Sequence, residues 1–574
     1  MRQKTRNIII YLVLTLLVFL FAIIKLINLQ AIEGVKYSTF SANLALKNID
    51  GKPPRGIIAD KNLVILAKNS ELYDLDIANL AANEKEVFQN LGLKLNSSTN
   101  ITNLSNKQVF EIINNPKFNG FDYKIILKNV RDYLFPYEFS HIIGYTGVVD
   151  SNDVKNGYAI DDYLGKYKIE SQFENELKGQ KGSVTNTGST YYDKKSEPGN
   201  NIQLTIDKNW QVSLYKILGN ANNEYNAAGA AGVIIDNSNG NIISMVSYPG
   251  FDTNLFSTGL SNDQYQSLLI DRNNPLQDKA IGVADAPGST FKIITAYNLL
   301  ENNIVDVNSR FFSNRCLSLG SGYDFCEFGK FFYGDMNIVR ALYKSSNVFF
   351  CNYELKDYSQ NQFSGLFNSA SLFNIGNKTG VNLTGEVSGN MDSPDYKKRI
   401  NKEEWFDGDT CNSAIGQGAI QTTPLQMAMV ASAISNDGVY YKPNLIEKIS
   451  DVYGNVIEES KPEVLRTIPI KEETLELIKE GMYNVAHNPE GTVYVFLKNT
   501  PGNVMVKTGT AEVYENIDGK QVYKTHGWII GSFDFEGKSY SFAFHLRYGG
   551  GGFYIAKVAR DFIGCVYNNF NGCL

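Results

Sequence analysis

Histidine is scarce in this sequence: the 574 residues include only His141, His487, His526 and His545. None of them lies in an HExxH motif or in a paired Cys/His spacing, the patterns typical of zinc sites. Long basic runs are also missing after the first few residues, and the formal net charge is −6, so nothing attracts a phosphate backbone. The sequence favours a metal-free mechanism without a cofactor, and it argues against nucleic acid as a partner.

The composition is that of a folded protein. Hydrophobic residues make up 43% of the chain and charged residues 20%, which differs from the polar, aromatic-poor composition of disordered chains. The length exceeds one typical domain of ~100–200 residues, so we expect two or three folded units. No internal repeat and no low-complexity tail is visible.

A nearly continuous apolar run, Ile8–Ile24, stands near the start of the chain, and Leu26–Leu29 extends it beyond one lysine. The run approaches the ~20 residues that a helix needs to cross the hydrocarbon core of a membrane. Arg2, Lys4 and Arg6 precede it, and positive charge prefers the cytoplasmic side. We therefore predict a single-pass anchor in the cell membrane, with a cytoplasmic N-terminus and an extracytoplasmic remainder.

A cleaved signal peptide is the competing interpretation of the same run. The apolar stretch is longer than a usual signal-peptide core. It is followed by Lys25 and Asn28–Gln30 and not by a small-x-small cleavage site. These features favour the anchor.

The predicted location makes the six cysteines relevant. Cys316 and Cys326 flank a Gly/Ser segment, and Cys565 and Cys573 close a short C-terminal loop, so either pair could oxidise outside the cytoplasm. The alternative, that all six are reduced, stays open because spacing alone does not fix the geometry of a disulfide.

Changes in residue pattern along the chain predict three parts: an anchor at 1–30, a second domain at 31–200 and a third at 201–574. The second alternates short apolar runs with polar turns, which indicates an α+β module with little chemistry. The third begins with NIQLTIDKNWQVSLYKIL, a strand followed by an amphipathic helix pattern. Two apolar runs joined by the Asn-Ser-Asn-Gly turn at 237–240 then predict a β-hairpin.

Helices are expected around Phe291–Leu300, Ile338–Glu354 and Pro424–Ser435. Strands are expected around Val504–Thr510, Gly527–Phe535 and Tyr540–Leu546, with a terminal helix from Tyr554 to Tyr567.

The segment APGSTFKIITAYNLL contains an S-x-x-K motif, Ser289 to Lys292. Pro287 and Gly288 break the preceding segment, and helical apolar spacing follows, which predicts Ser289 in a first helical turn. Residues i and i+3 share a helix face, so the Lys292 amine can approach the Ser289 hydroxyl. A serine needs a base to become a nucleophile, and a lysine is one only when burial or positive charge lowers its pKa. A lone S-x-x-K is more often a solvated helix face.

Two further motifs follow in order, and together they favour a catalytic role for the S-x-x-K motif. A lone Ser345-Ser346-Asn347 indicates simple N-capping of a helix; beside the other motifs, Ser345 is expected to relay a proton to the leaving amine and Asn347 to bind the substrate amide.

The third motif, at 507–510, lies on the apolar strand VMVKTGTAEV. A strand beside the nucleophile can pair with an extended peptide, and Gly509 lacks a side chain that would obstruct it. Lys507 supplies positive charge near Lys292, Lys507 and Thr508 suit a terminal carboxylate, and the Thr510 N–H would be an oxyanion donor. On an edge strand the same motif can also be a polar break against aggregation.

This ordered set is typical of penicillin-interacting enzymes, and the chain resembles the class B penicillin-binding proteins over nearly its whole length. Residues 55–62 (RGIIADKN) are similar to the RGxIxDRNG box of that family, and 169–170 with 177–179 to its GIE…LRG segment. Residues 201–207, 248–256 and 415–426 match further family stretches. Three positions differ: Leu63 replaces a glycine, Ser346 a common cysteine, and 333–335 (YGD) the HG pair.

The resemblance implies an α+β fold with a non-catalytic pedestal (dimerisation-like) domain and a penicillin-binding transpeptidase domain, whose central antiparallel sheet is flanked by helices. It implies a peptidoglycan D,D-transpeptidase: Ser289 attacks the D-Ala-D-Ala carbonyl of a stem peptide, releases D-Ala and passes the acyl group to an amine. β-Lactams would acylate the same serine. A multi-span glycan polymerase of the shape, elongation, division and sporulation group is the implied partner.

Two other functions stay open. A D,D-carboxypeptidase or β-lactam-hydrolysing enzyme uses similar motifs but transfers the acyl group to water. A non-catalytic scaffold of a cell-wall synthesis complex would have no need of Lys292. The intact motif set favours an enzyme, and the anchor with its large pedestal argues against a secreted β-lactamase.

Overall fold

The protein is seen in a computed structural model that describes residues 53–90, 93, 100–156, 158, 162–180, 183–186, 190–194, 197–320, 322–517 and 519–574, together with Leu16 and Phe19. Apart from those two residues, the predicted anchor lies outside the described part. No helix within the described ranges combines the length and apolarity needed to span a bilayer. The described chain forms two compact units, one containing 69–130 and 180–197, the other 55–68, 131–179 and 198–574. The division at residue 200 stays a prediction.

The smaller unit has its own apolar core. Its helix Asn106–Ile113 begins with a capping box between Ser105 and Gln108, and the helix Ala82–Gln89 begins where Ala81 N–H donates to Glu84 Oε2 at 2.8 Å. Phe88 and Val109 from these helices are fully buried. They pack with Leu75 of the strand Ile65–Asp76, which begins in the larger unit. The remaining elements of the unit are the strands Asn100–Leu104, Lys124–Tyr133, Ser183–Asn186 and Thr190–Lys194 and the 3₁₀ turn Pro116–Phe118.

The larger unit is built on a five-stranded sheet. Its strands are β1 (Ala230–Asp236), β2 (Ile242–Tyr248), β3 (Met505–Ile517), β4 (Lys520–Phe535) and β5 (Lys538–Leu546). Their order is β2-β1-β5-β4-β3, and every neighbouring pair is antiparallel. The strand β3 is therefore at one edge, and among the described strands it pairs only with β4.

Seven helices of this unit are labelled: α1 (Lys208–Glu224), α2 (Lys292–Glu301), α3 (Ile338–Lys344), α4 (Asn347–Asn361), α5 (Pro424–Ser435), α6 (Glu472–His487) and α7 (Gly552–Tyr567). Because side chains alternate along a strand, both faces of the sheet are apolar. Ile529 and Phe542 lie in the cluster that includes α1 and α7, whereas Ile530 and Ala543 lie in the cluster that includes α5. The prediction of an antiparallel sheet with helices on both faces is confirmed.

Further helices and strands belong to the larger unit. The helices are Ser140–Ile143, Ser151–Lys155, Lys168–Gln172, Glu174–Leu177, Thr253–Thr258, Asn262–Ile270, Ser364–Leu372, Pro394–Ile400, Asp407–Ala414 and Tyr494–Leu497. The strands are Ile58–Ala59, Thr146–Val148, Tyr163–Gly165, Asn201–Leu204, Phe311–Ser313, Cys316–Ser318, Asp324–Cys326, Gly334–Met336, Val439–Tyr441, Ile446–Ser450, Val456–Glu459 and Val464–Thr467.

The predicted hairpin forms, and the helical stretch predicted around Ile338–Glu354 forms as two helices, the second beginning at Asn347. Strands β1 and β2 are joined by a turn in which Gly240, at φ +78°, donates its N–H to Asp236 O at 2.9 Å. The helix is divided into α3 and α4 because Ser345 has a left-handed φ of +59°. A serine rarely adopts this conformation, and such residues often mark functional sites.

Three disulfides link the cysteines. Both pairs that the sequence suggested form, Cys316–Cys326 and Cys565–Cys573. The third disulfide, which no cysteine spacing indicated, joins Cys351 of α4 to Cys411 across 60 residues.

Two of the segments that resemble family motifs, 55–62 and 169–170, contribute residues to a buried ion-pair cluster. Arg55 Nη2 lies 2.7 Å from Glu170 Oε2, and Arg131 Nε lies 2.6 Å from Glu170 Oε1. Arg55 also pairs with Glu174 at 2.8 Å. Burial alone would raise the pKa of the Glu170 carboxyl, but the charges of the two arginines lower it below its ordinary value. These ion pairs give Arg55 and Glu170 a structural role.

Candidate active site

The S-x-x-K motif begins in a tight turn. Residues Gly288–Phe291 form a 3₁₀ turn that continues directly into α2, and Ser289 is half-buried within it. Gly288 has a φ of +53° and donates its N–H to Gly416 O at 2.9 Å. A side chain on Gly288 would come within 2.6 Å of Thr510 O. The turn therefore needs glycine to bring Ser289 against the strand β3.

Lys292 occupies the first position of α2 and is fully buried. Its Nζ donates to Ser345 O at 2.7 Å and to Asn347 Oδ1 at 2.7 Å, and it lies 3.4 Å from Ser345 Oγ. Burial lowers the pKa of the amine from 10.5 to about 7, although Glu327 acts in the opposite direction. A neutral amine at physiological pH can accept a proton.

The sequence predicted that the Lys292 amine approaches the Ser289 hydroxyl. Within the described chain no hydrogen bond joins the two side chains, because the amine is held by Ser345 and Asn347. The hydrogen bonds of catalytic groups are often long before substrate binds and tighten in the complex. The structure joins Lys292, Ser345, Asn347 and Lys507 directly, with Ser289 on the adjoining turn.

Ser345 is the centre of this network. Its left-handed backbone lets its carbonyl oxygen accept from Lys292, while its Oγ accepts from Lys507 Nζ at 2.9 Å. A hydroxyl in contact with two buried amines can pass a proton between groups on either side. The left-handed backbone of Ser345 and its contacts with both amines thus occur at the same residue.

Lys507 extends from the edge strand β3 and is also fully buried. Besides Ser345 Oγ, its amine donates to Thr508 O at 3.0 Å. Burial and then the positive charge of Lys292 lower the pKa of Lys507 well below its usual 10.5. The sequence suggested that the charge of Lys507 would lower the pKa of Lys292. Burial lowers the pKa of Lys292 instead, and the charge effect is that of Lys292 on Lys507.

The three residues after Lys507 lie against the nucleophile turn. A side chain on Gly509 would come within 2.5 Å of Pro287 O, so the missing Cβ accommodates this turn, where the sequence had suggested room for a peptide. Thr510 Oγ1 accepts from the N–H of Gly552 at 3.0 Å, and the hydroxyls of Thr508 and Thr492 are 3.2 Å apart.

Glu327 is a residue of this site that the sequence did not reveal. It is 2% exposed, and its carboxylate accepts hydrogen bonds from the Ser346 hydroxyl and, at 2.6 Å, from the N–H of Asn347. It belongs to no recognisable motif, and its only signal in the sequence is that it follows Cys326. Ser346 also caps α4 by accepting from Phe349 N at 3.1 Å.

One group of described residues has the donor types of a metal site. The carboxylate of Asp285 and the rings of His526 and His545 offer ligand atoms that all lie within 4.8 Å of one another. Arg547 Nε already lies 3.3 Å from Asp285 Oδ2. Burial, His526 and Arg547 hold the pKa of His545 well below its usual 6.5. This arrangement is explained by an ion pair of Asp285 with Arg547 beside two imidazoles that pack edge to face, with ring centroids 5.3 Å apart.

Family comparisons agree with this geometry. Residues 230–564 match the family described as the penicillin-binding protein transpeptidase domain. The chain belongs to the class B penicillin-binding proteins. Residues 85–204 match the penicillin-binding protein dimerisation domain.

Individual relatives cover most of the chain. "Peptidoglycan D,D-transpeptidase MrdA" of Escherichia coli (strain K12) is 29% identical over 546 residues, 88% of this chain and 83% of that protein. "Penicillin-binding protein 3" of Bacillus subtilis (strain 168) is 25% identical over 544 residues, 89% of this chain and 76% of the relative.

Solved structures share the fold. A chain in "Structural coordination of polymerization and crosslinking by a peptidoglycan synthase complex" has a TM-score of 0.75 at 24% identity, with 99% of both chains covered. The Helicobacter pylori protein in "Complex between Penicillin-Binding Protein (PBP2) and MreC" has a TM-score of 0.73 at 23% identity, covering 90% of this chain and 98% of that one.

Proposed function

We propose that this penicillin-binding protein is a peptidoglycan D,D-transpeptidase that cross-links stem peptides through an acyl-Ser289 intermediate and is inhibited by β-lactams. One observation carries the proposal: the buried amine of Lys292, with its pKa lowered to about 7, lies in one hydrogen-bonded network with Ser345, Asn347 and Lys507. Such a network has the parts that acyl transfer needs beside a serine. Relatives named as D,D-transpeptidases support the same reaction.

In the acylation step, the Ser289 hydroxyl attacks the carbonyl carbon between the two D-Ala residues and gives its proton to Lys292. The negative oxygen of the tetrahedral intermediate accepts from backbone N–H groups of Ser289 and Thr510. The C–N bond then breaks, and Ser345 passes a proton to the departing D-Ala amine. The products are an acyl-serine and free D-Ala.

Substrate binding uses the edge strand. An extended stem peptide adds to the unpaired side of β3, as peptides do at other open sheet edges. The Asn347 amide binds the peptide backbone, and Lys507 with Thr508 receives the terminal carboxylate. An amine from a neighbouring stem then attacks the acyl-serine, forms the cross-link and frees Ser289.

A single-pass membrane anchor at residues 1–30 and a multi-span glycan polymerase as partner complete the proposal. The three disulfides support an oxidising compartment for the described chain, because disulfides are rare in the cytosol. The similar chain solved in a peptidoglycan synthase complex supports the partner. Protease added outside spheroplasts should degrade the protein; full protection would contradict this topology.

The nucleophile is tested on the full-length chain in detergent. The wild type should become covalently labelled by fluorescent penicillin, and Ser289→Ala should abolish the label because the attacking oxygen is removed. Ser267→Ala, which changes an exposed serine of the helix Asn262–Ile270, is the matched control and should label normally. Wild-type labelling of Ser289→Ala would move the nucleophile elsewhere.

Transfer to an amine is tested separately from acylation. With lipid-linked glycan strands bearing D-Ala-D-Ala stems, the wild type and its polymerase partner should form cross-linked dimers that penicillin prevents. Release of D-Ala without dimers would indicate the carboxypeptidase alternative instead.

A further inference from the structure

A buried carboxylate stands at the start of the helix that carries Asn347. Glu327 Oε2 accepts from the Asn347 N–H at 2.6 Å, and Oε1 accepts from the hydroxyls of Ser346 and, at 2.8 Å, of Ser313. An acidic group at a helix N-terminus is favoured by the helix dipole and by the free N–H groups there. Three donors from two chain segments thus converge on one side chain.

The position of Glu327 is itself fixed by a disulfide-closed hairpin. The strands Cys316–Ser318 and Asp324–Cys326 pair, with Cys316 opposite Cys326 and joined to it. Directly after the hairpin, Glu327 donates its N–H to Arg315 O at 2.8 Å. Cys326 O in turn accepts from Asn347 Nδ2 at 3.3 Å. The hairpin therefore contacts Asn347 through both its carbonyl and the carboxylate that follows it.

Asn347 connects Glu327 to Lys292, the proposed base. Asn347 Oδ1, oriented by the hairpin, accepts from Lys292 Nζ. The negative charge of Glu327 opposes the effect of burial on the pKa of Lys292. Lys507 of β3 is the second charged group of the network, and the charge of Lys292 lowers its pKa. A nearby negative charge stabilises a protonated amine.

From this geometry we infer that Glu327 is a positioning residue of the acylation reaction. It fixes Ser346 and Asn347 at the start of α4 and sets the electrostatic environment of Lys292, and the Cys316–Cys326 hairpin holds it in place. The inference rests on the proposed function, since it concerns the acylation of Ser289.

The test is the pH dependence of the rate at which fluorescent penicillin labels the full-length chain. In Glu327→Gln the loss of negative charge lowers the pKa of Lys292 further, so the midpoint of the rising limb should move to lower pH. The maximal rate should fall about 10- to 100-fold because Asn347 and Lys292 are no longer held in position. A purely structural cap would lower the rate and leave the midpoint in place.

Glu327→Asp separates the effect of the negative charge from the effect of side-chain length. It keeps the negative charge and loses the hydrogen bonds of the longer side chain, so its midpoint should stay near that of the wild type while its rate stays low. An aspartate midpoint shifted as far as that of the glutamine variant would overturn the electrostatic role.

Glu386→Gln is the matched control. Glu386 is also buried and accepts from Thr379 N at 2.7 Å and from Gly380 N at 3.2 Å. In the part of the chain that the structure describes, no hydrogen bond joins it to Lys292, Ser345, Asn347 or Lys507. Its variant should keep the wild-type midpoint and maximal rate. A similar midpoint shift in this control would show that the effect is not specific to Glu327.

The hairpin supplies a second test that does not depend on the folding of the Glu327 variants. The double variant Cys316→Ser/Cys326→Ser should label several-fold more slowly than the wild type, whereas Cys565→Ser/Cys573→Ser should label normally. Equal rates for the two double variants would overturn the role of the hairpin. A wild type that fails to label would instead contradict the proposed function itself.

Discussion

Two regions of the larger unit bury several charged groups, and they do so in opposite ways. Around Glu170 each buried cation has a carboxylate partner, with N–O distances of 2.6–2.8 Å. Around Ser345 two buried lysines instead face carbonyls, an amide and a hydroxyl, and no carboxylate lies in direct contact with either amine among the described residues. The first arrangement keeps its groups ionised, whereas the second lowers the pKa of both amines.

The difference separates a stabilising cluster from a reactive one. A buried ion pair that loses one partner leaves an uncompensated charge, which is strongly destabilising. A buried amine without a carboxylate costs folding free energy whenever it is protonated, and it is retained where a neutral base is useful. Substitutions around Ser345 should therefore lower the rate of acylation, whereas substitutions around Glu170 should lower the free energy of unfolding.

The largest expected effect is on rate, in Lys292→Met. The thioether fills the space of the lysine stem but cannot accept a proton, so labelling by fluorescent penicillin should slow at least ~100-fold, the usual scale for loss of a general base. Thermal unfolding should show equal or higher stability because a poorly solvated amine is removed. An unchanged labelling rate would exclude the role given to Lys292.

Lys279→Met is the control for that variant. Lys279 is also buried, and burial lowers its pKa to about 7, but its amine donates to Asn274 O and Gln277 O, outside the site. Its variant should label at the wild-type rate. A comparable loss of rate would mean that a low lysine pKa alone does not identify the base.

The next effect is on stability, in Glu170→Gln. Loss of this carboxylate leaves the buried charge of Arg131 without its partner, so the free energy of unfolding should fall by about 3–5 kcal/mol. The fraction that stays folded should label at the normal rate. A fall below 1 kcal/mol, or a slower reaction of the folded protein, would break the distinction between the two regions.

An exposed pair gives the reference for this comparison. Lys442 and Glu463 lie 2.9 Å apart at the surface, so Glu463→Gln should change stability by only about 0–1 kcal/mol. Chemical denaturation of both variants under the same conditions makes the measurement.

The sequence predicted the parts of the site that depend on local spacing. Lys292 follows Ser289 by one helical turn, and the strand bearing Lys507 was recognisable from its apolar neighbours. Glu327 was missed because its contact with Asn347 crosses 20 residues of loop and hairpin, and no periodicity encodes such a contact. The Cys351–Cys411 disulfide was missed for the same reason, since it spans 60 residues.

The break in the predicted helix Ile338–Glu354 has a related cause. Apolar spacing continues on both sides of Ser345, but this residue has a left-handed backbone and contacts two lysines. Local preference was overridden at the position where the chemistry is proposed, which is where such conflicts are expected.

The smallest expected effect concerns Leu63, near the ion-pair cluster in sequence. Leu63 has a φ of +63° and is 66% exposed, so it adopts a glycine-like conformation without burying its side chain. Leu63→Gly should raise the free energy of unfolding by up to ~1 kcal/mol, the scale of left-handed strain in a residue with a side chain.

The neighbouring residue is the control. Val64 has no left-handed backbone, so Val64→Gly should lower stability by about 0.5–1 kcal/mol. Destabilisation of the same size in Leu63→Gly would show that the leucine is not strained.

The most direct test of the reactive cluster is the pH dependence of acylation in the wild-type chain. Burial lowers the pKa of Lys292 to about 7, and only its neutral form acts as a base. The rate constant for labelling by fluorescent penicillin should therefore rise with pH as Lys292 loses its proton, with a midpoint near pH 7, and then reach a plateau. A rate that keeps rising towards pH 10, as for an ordinary solvated lysine, would contradict the account.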